Sequence, residues 1–337
     1  MLLKNILLAA GIAATAFVPA SPVHAQAPAA SGTTAPAAPD SDFYQFVNAT
    51  GGAFTDAQIS WSFDGGTTWH VLAEQKSAPA LCKNGRVYFK LQNDKGTWQD
   101  FIEYAQGKGG WNGNTTQVDA FVIPLTISLV KTDGTTRTLG ITESRKAIFD
   151  AFKAEAPKEF LSCLDGDKQI MSPHMADFKP GAANADYFAK YVDEIWDMYA
   201  TPKTLPSGWT GKVENGVLTF SKPGQKDQVI HAKPTTEQIL LGSGEMSHLP
   251  GFCSAFNRHV AADPGDWNNP ATYYKTFPYN YYSKFLHQQT VDGKCYGFCY
   301  DDSGSQAAFM SGKATHLVVT LYWDAIPPAT PHKAPPQ

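Results

Sequence analysis

Apolar and polar positions alternate in short runs through the first third of the chain, at 43–47, 59–63, 69–72 and 87–91, with Gly, Asp and Asn between them. A period of two between turn residues predicts half-buried antiparallel strands. Asp64-Gly65-Gly66 reads as a hairpin turn. The stretch 98–124 reads as strand, glycine-rich loop, strand, with Glu103 near the end of the first strand and Asp119 near the start of the second. The second strand continues to about 130, and Pro124, with no N–H to give a ladder, marks an edge or bulge in it. Beyond Leu139 the period lengthens. Ile148, Phe149 and Phe152 share one face of a helix over 144–154, stopped ahead of Pro157. A second helix from about 184 sets Phe188, Val192, Ile195 and Tyr199 at i, i+4, i+7 and i+11, with Lys190, Asp193, Glu194 and Asp197 on its other faces. Strand character returns at 209–220, around an Asn215-Gly216 turn, and at 228–231. Helical pieces are expected over 250–259 and 280–289, and strands over 295–300 and 316–323.

This order predicts a mainly β fold with an α+β lobe, in one domain over 42–325. A β barrel or sandwich lobe takes about 42–140 plus 205–235 and 290–325, and an α-rich lobe takes about 141–204 and 236–289. A groove between them is the expected binding site. The flanks differ in kind. Lys4, an apolar run over 6–18 and Val23-His24-Ala25 make 1–25 a secretory signal cut after Ala25. That run is shorter than the roughly 20 residues a membrane span needs. No Cys follows the cleavage site, which argues against a lipoprotein, and the product is expected to be secreted or periplasmic. Residues 26–41, almost all Ala, Pro, Ser, Gly and Thr, form a linker that cannot bury a core. Residues 326–337 are a Pro-rich tail.

Charge narrows the partners. The net charge is −4, and losing Lys4 with the signal makes it −5. There is no clustered Lys and Arg run of the kind that nucleic-acid backbones require, so nucleic acid is excluded, as is a membrane once the signal is gone. A neutral polysaccharide fits the charge, and 8 Trp, 14 Tyr and 20 Phe suit a sugar-binding surface. Cys82, Cys163, Cys253, Cys295 and Cys299 allow up to two disulfides and one free thiol in an exported protein, with the pairing open. Cys295 and Cys299, four apart in an expected strand, would lie about 13 Å apart and could not bridge each other. No CxxC or CxxxH spacing is present, so no metal is expected. No dinucleotide, P-loop or G-x-S-x-G pattern points to a cofactor or a serine nucleophile.

The chemistry concentrates in 98–124. Two carboxylates brought together across a loop are what hydrolysis of a glycosidic bond requires, one to protonate the leaving oxygen and one to activate water. Between Glu103 and Asp119 stands Trp111 among Gly107, Gly109, Gly110 and Gly113, followed by Asn112, Asn114, Thr115, Thr116 and Gln117. An aromatic platform with neutral hydrogen-bonding groups suits a sugar. Plainer readings stand beside these. From spacing alone Glu103 and Asp119 read as surface carboxylates; Trp111 is also readable as an anchor for its loop, and Asn114 and Thr116 as caps on the local backbone. Asn257-Arg258 and Asp301-Asp302 read better as a lock between helix and strand than as substrate contacts, and His287 as a packed, hydrogen-bonded histidine.

Several motifs occur together in a fixed order: Glu103-Tyr104, Trp111 with Asn114, and Thr116-Gln117-Val118-Asp119-Ala120-Phe121, then Ala255-Phe256-Asn257-Arg258, 280–287, Asp292-Gly293-Lys294-Cys295-Tyr296-Gly297-Phe298 and Asp301-Asp302. Over roughly 43–323 this set resembles glycoside hydrolase family 64, inverting β-1,3-glucanases built on a thaumatin-like barrel. The resemblance implies a thaumatin-like β barrel or sandwich and a helix-rich lobe flanking a wide cleft. It implies an endo-acting hydrolase of β-1,3-glucan, with Glu103 as acid and Asp119 as base; the chain is expected to be monomeric and free of cofactors. It places substrate contacts at Tyr104, Trp111, Asn114 and Thr116. The family tends to carry polar residues shortly after its catalytic Glu, where this chain has Ala105 and Gly107, a departure that bears on product size. A general acid must hold its proton, which asks for burial around Glu103 between Ile102 and Tyr104, with Trp98 and Phe101 nearby, whereas Asp119 must stay ionised. Inversion leaves room for a water, so the two carboxyls are expected about 6.5 to 9.5 Å apart. A glucan-binding or antifungal wall protein that keeps the cleft without turnover is the alternative.

Overall fold

The computed structural model describes residues 42–81, 83–107, 110–307 and 309–324. The expected signal, linker and tail, and Cys82, lie outside the described residues. The strands, in chain order, are β1 (Tyr44–Ala49), β2 (Ile59–Ser62), β3 (His70–Val71), β4 (Ser77–Ala78), β5 (Asn84–Asn93), β6 (Gly96–Gly107), β7 (Gly110–Thr115), β8 (Ala120–Phe121) and β9 (Leu125–Lys131). They continue with β10 (Thr136–Gly140), β11 (Leu164–Asp165), β12 (Gln169–Met171), β13 (Lys203–Thr204), β14 (Thr210–Glu214), β15 (Val217–Ser221), β16 (Gln228–Ile230), β17 (Phe309–Gly312) and β18 (Ala314–Tyr322).

Two open sheets face each other across one core. Six strands run in the order β17-β7-β6-β5-β2-β3 and five in the order β10-β9-β18-β1-β4. Alternation explains why they stack: Val87, Phe89 and Leu91 of β5 and Ile102 and Tyr104 of β6 are buried against Phe46, Ile127, Leu129, Leu317 and Val319 from the other sheet. Neighbours between them on each strand face outward. Among the described residues no sheet closes on itself, so the barrel expected from the resemblance is present only as open sheets. One pairing was outside the antiparallel expectation. β1 lies parallel to β18, with Tyr44 opposite Leu317.

The helices α1 (Arg145–Glu155), α2 (Ala189–Met198), α3 (Thr236–Leu241), α4 (Pro250–Asn257) and α5 (Tyr281–Gln289) surround a second core of Phe152, Phe160, Val192, Ile195, Phe256 and Phe285. Ser144 caps α1, its Oγ accepting the Ala147 N–H. α2 starts five residues later than the apolar stripe suggested, because turns occupy 181–188. The β13-β14-β15-β16 sheet sends Leu218, Phe220 and Ile230 into this helical core. The 205–235 segment therefore packs with the helices and not with the sandwich. A hairpin's alternation says that one face is buried, without saying against what. The expected strand at 295–300 is a loop with a single bridge, Tyr296 to Thr116. Cys163, Cys253, Cys295 and Cys299 are free thiols.

Candidate active site

On β6 the period of two decides the direction of each side chain. Asp100, Ile102 and Tyr104 point into the sandwich, so Glu103 stands on the opposite face. Its cross-strand neighbours are Arg86 on β5 and Asn114 on β7, a row of three across the sheet. Arg86 donates from Nε and Nη2 to Glu103 Oε1, at 3.0 and 2.9 Å, and its guanidinium lies 4.2 Å over the Phe101 ring. The Glu103 side chain is 37% exposed. The burial expected around it is thus absent: Trp98 is on the sandwich side, edge-on to Phe54 and Trp323, and only Phe101 shares its face. Asn114 is buried beside Glu103, and its Oδ1 meets no protein donor.

After Thr115 the chain leaves the sandwich and crosses to the helical core. Thr116 bridges Tyr296, the Gln117 N–H donates to the Tyr296 carbonyl at 2.9 Å, and Tyr282 Oη donates to the Gln117 carbonyl at 2.7 Å. β8 then pairs with β12, and the Asp119 carbonyl accepts the Ser172 N–H at 2.8 Å. This crossing fixes the Asp119 backbone while leaving its side chain 57% exposed. His174 sets Nε2 3.6 Å from Asp119 Oδ1, and its Nδ1 lies 3.0 Å from Ser172 Oγ. The His174 imidazole holds the Asp119 carboxyl below its ordinary range against the opposing effect of burial, and the charge of Arg86 acts in the same direction. Arg86 thus binds one candidate carboxylate and acts on the other.

Two expected sugar contacts are core residues. Trp111 is 1% exposed, on the same face of the sheet as Tyr104, and its Nε1 donates to Tyr44 Oη at 3.1 Å. The stretch read as a loop is strand β7, and its Gly113 makes space for the indole. A methyl group at Gly113 would overlap both the Trp111 ring and the Glu103 carbonyl. Tyr104 is buried edge-on to Tyr44 and Phe63, and burial raises its phenol to about 12. Thr116 is also buried, and its Oγ1 accepts the Val118 N–H, the local cap of the plainer reading. Of the six expected site residues, Glu103 and Asn114 adjoin on one face, and Asp119, paired with His174, is linked to them only by the charge of Arg86. Arg86 and His174 were missed. Arg86 is identifiable only once the β5–β6 register is known, and His174 lies far along the chain with no spacing signal.

A polar knot stands behind the crossing. Asp301, fully buried, accepts Arg258 Nη2 at 2.9 Å, Ser283 Oγ at 2.9 Å and the Gly297 N–H at 2.9 Å, with His287 Nε2 at 3.0 Å. Burial would raise this carboxyl, but His287 and Arg258 together bring it down to about 2. The residues read as a lock do lock: they curl 295–301 round one carboxylate, which is why that segment is not a strand, and present Tyr296 to Thr116. Among the described residues no group of three His, Cys, Asp or Glu gathers as a metal site. No helix among them is long and apolar enough to cross a membrane.

The sequence model of glycoside hydrolase family 64, described as beta-1,3-glucanase, matches residues 23–321. The chain belongs to this family. A glucan endo-1,3-beta-glucosidase of Cellulosimicrobium cellulans is 26% identical over 266 residues, covering 70% of this chain and 48% of the relative. The chain therefore spans about half the length of the curated relatives it matches. Among solved structures, a family 64 β-1,3-glucanase domain from Clostridium beijerinckii aligns with a TM-score of 0.73 at 26% identity, over 85% of this chain and all of that one. A laminaripentaose-producing β-1,3-glucanase from Paenibacillus barengoltzii, solved free and complexed with laminarihexaose, aligns with a TM-score of 0.66 at 28% identity, over 83% of this chain and 74% of that one.

Proposed function

We propose that this chain is an exported, monomeric endo-β-1,3-glucanase that cuts glucan by single displacement, with Glu103 as general acid and Asp119 as general base. In this reading the two facing sheets correspond to the thaumatin-like part of the family fold, and the glucan lies along the outer face of β6 and β7, where a wide cleft meets the helical core. The observation that carries it is the placement of Asp119: an exposed carboxylate on a backbone fixed from both sides, kept ionised by His174 and Arg86. Such a group can accept a proton from water as the water attacks the anomeric carbon. Glu103, on β6, gives its proton to the departing glycosidic oxygen, and Asn114 is placed to fix a sugar hydroxyl beside it. The curated relative's name and the laminarihexaose complex support β-1,3-glucan as the substrate.

The ion pair between Arg86 and Glu103 favours a second reading, a glucan-binding protein without turnover, because a carboxylate bound to a guanidinium must be released before it can deliver a proton. One experiment separates them. Mature protein is incubated with laminarin and the anomer first released is followed by NMR. Release of the α anomer supports inverting hydrolysis; release of the β anomer overturns the mechanism, and tight binding without cleavage establishes the second reading.

A further inference from the structure

We propose that Asp100 is a positioning residue for this reaction: its buried carboxylate ties the strand that carries Glu103 to the segment that carries Asp119 and so sets the spacing of acid and base. This rests on the catalytic reading above. Asp100 lies three residues before Glu103 on β6 and points the other way, into the sandwich, where it is 6% exposed. Its Oδ2 accepts the N–H of Ile123 at 2.9 Å and that of Val122 at 3.3 Å, and its Oδ1 accepts the Phe101 N–H at 2.8 Å. Val122 and Ile123 follow Asp119 by three and four residues.

The need for an acceptor there is local. Between β8 and β9 the ladder is interrupted ahead of Pro124, so the N–H groups of Val122 and Ile123 have no strand partner, and a buried orphan donor is costly. A carboxylate on the inner face of β6 satisfies both. The same peptide is held from its other side, where Arg145 Nε donates to the Val122 carbonyl at 2.8 Å and Arg145 Nη2 to the carbonyls of Asp167 and Lys168 at 2.7 and 2.6 Å. The Ser172 N–H holds the Asp119 carbonyl. Arg145 and Ser172 tie residues 119–122 to the helical side. Asp100 supplies the tie to β6 itself, on which Glu103 stands. Burial pushes its carboxyl up to about 7, against the three N–H groups and the charge of Arg145. An acid kept in the core at that cost is explained by what it holds.

Misplacement of a reacting group by about 1 Å can cost about 10²-fold in rate. Asp100→Asn keeps the size but offers the two N–H groups an amide in place of a carboxylate. Expected on laminarin is a fall in kcat of about tenfold or more with KM changed less than about twofold. A double-mutant cycle distinguishes positioning from general damage. In Asp119→Ala, azide attacks the anomeric carbon from the space left by the base, forming the C–N bond as the glycosidic C–O bond breaks and Glu103 protonates the leaving oxygen. Azide is not held by the 119–123 backbone, so adding Asp100→Asn should leave the azide-supported rate within about twofold. Equal losses in both backgrounds, or none in either, would overturn the proposal. If Asp100→Asn does not fold, Asp100→Glu takes its place in the same cycle, its extra methylene displacing the two N–H groups while keeping a carboxyl group. Failure of the underlying reading shows separately, as undiminished turnover in Asp119→Ala without azide.

Discussion

Trp111 is the residue on which a sugar-stacking role and a core role make opposite demands. With 1% of its surface exposed, the indole fills the sandwich between the sheets, and its N–H is spent on Tyr44 Oη. Truncation to Ala removes one of the largest buried side chains, and losses of about 3 to 5 kcal/mol are usual for buried Phe or Trp. For a domain of this size each kcal/mol moves Tm by roughly 2 to 4 °C, so Trp111→Ala should melt on the order of 10 °C lower. Trp111→Phe separates packing from the hydrogen bond. It keeps an aromatic ring and gives up the N–H, while Tyr44 retains its own bond to Gln106 Oε1 at 3.2 Å, so its cost should be about 1 to 2 kcal/mol. The assay is calorimetry of the three proteins beside steady-state kinetics on laminarin well below every Tm, where KM should change little. An unchanged Tm for Trp111→Ala together with a tenfold rise in KM would refute this reasoning and return the indole to the sugar.

Three further outcomes follow from the site. Asp119→Asn should lower laminarin turnover by at least about 10² to 10⁴-fold with binding retained, whereas Glu103→Gln should lose far less on a substrate with an activated aryl leaving group than on laminarin; equal harmlessness of the two on laminarin would end the catalytic assignment. His174→Asn removes the main cause of the low Asp119 pKa, so the acid limb of the kcat/KM profile should move to higher pH, and an unmoved limb would mean that His174 does not act on the base. For Asp301 the folded-state pKa is depressed, so its contribution to stability is full above the unfolded value of 3.8 and is lost as pH falls through about 2. That contribution is roughly 2 kcal/mol, and urea titrations between pH 7 and 2 should show it disappear in the wild type but not in Asp301→Asn, which is weaker throughout because the buried Arg258 guanidinium loses its opposing charge.

What sequence could yield depended on the range of the interaction. Alternation located β5, and the apolar stripes located α1 and, with its start five residues early, α2, because each is a property of neighbouring residues. The carboxylates Glu103 and Asp119 were singled out by their order in a motif. The Arg86–Glu103–Asn114 row was not, since register is fixed by a turn and two cores and is not written at any one position. Trp111 was misread because glycine breaks the hydrophobic period: 111, 113 and 115 alternate with Asn112 and Asn114 as a strand should, yet two of the first four residues of β7 carry no side chain. Cys-Tyr-Gly-Phe-Cys-Tyr at 295–300 shows the converse error, an apolar run that looks like a strand but bends round a carboxylate supplied one residue later.

The parallel pairing of β1 with β18 has a consequence for the order in which the chain can become itself on the ribosome. β18 lies in the middle of its sheet, between β9 and β1, so a nascent chain that has made everything up to residue 313 still lacks the strand at the centre. Until then β1 and β9 offer unpaired edges, while every helix of the second core has already been synthesised. Helical packing can therefore begin early, but the sandwich behind Glu103 must be the last part to close. The sheet that backs Glu103 therefore has no lasting partner for its inner face until the final strand has been made.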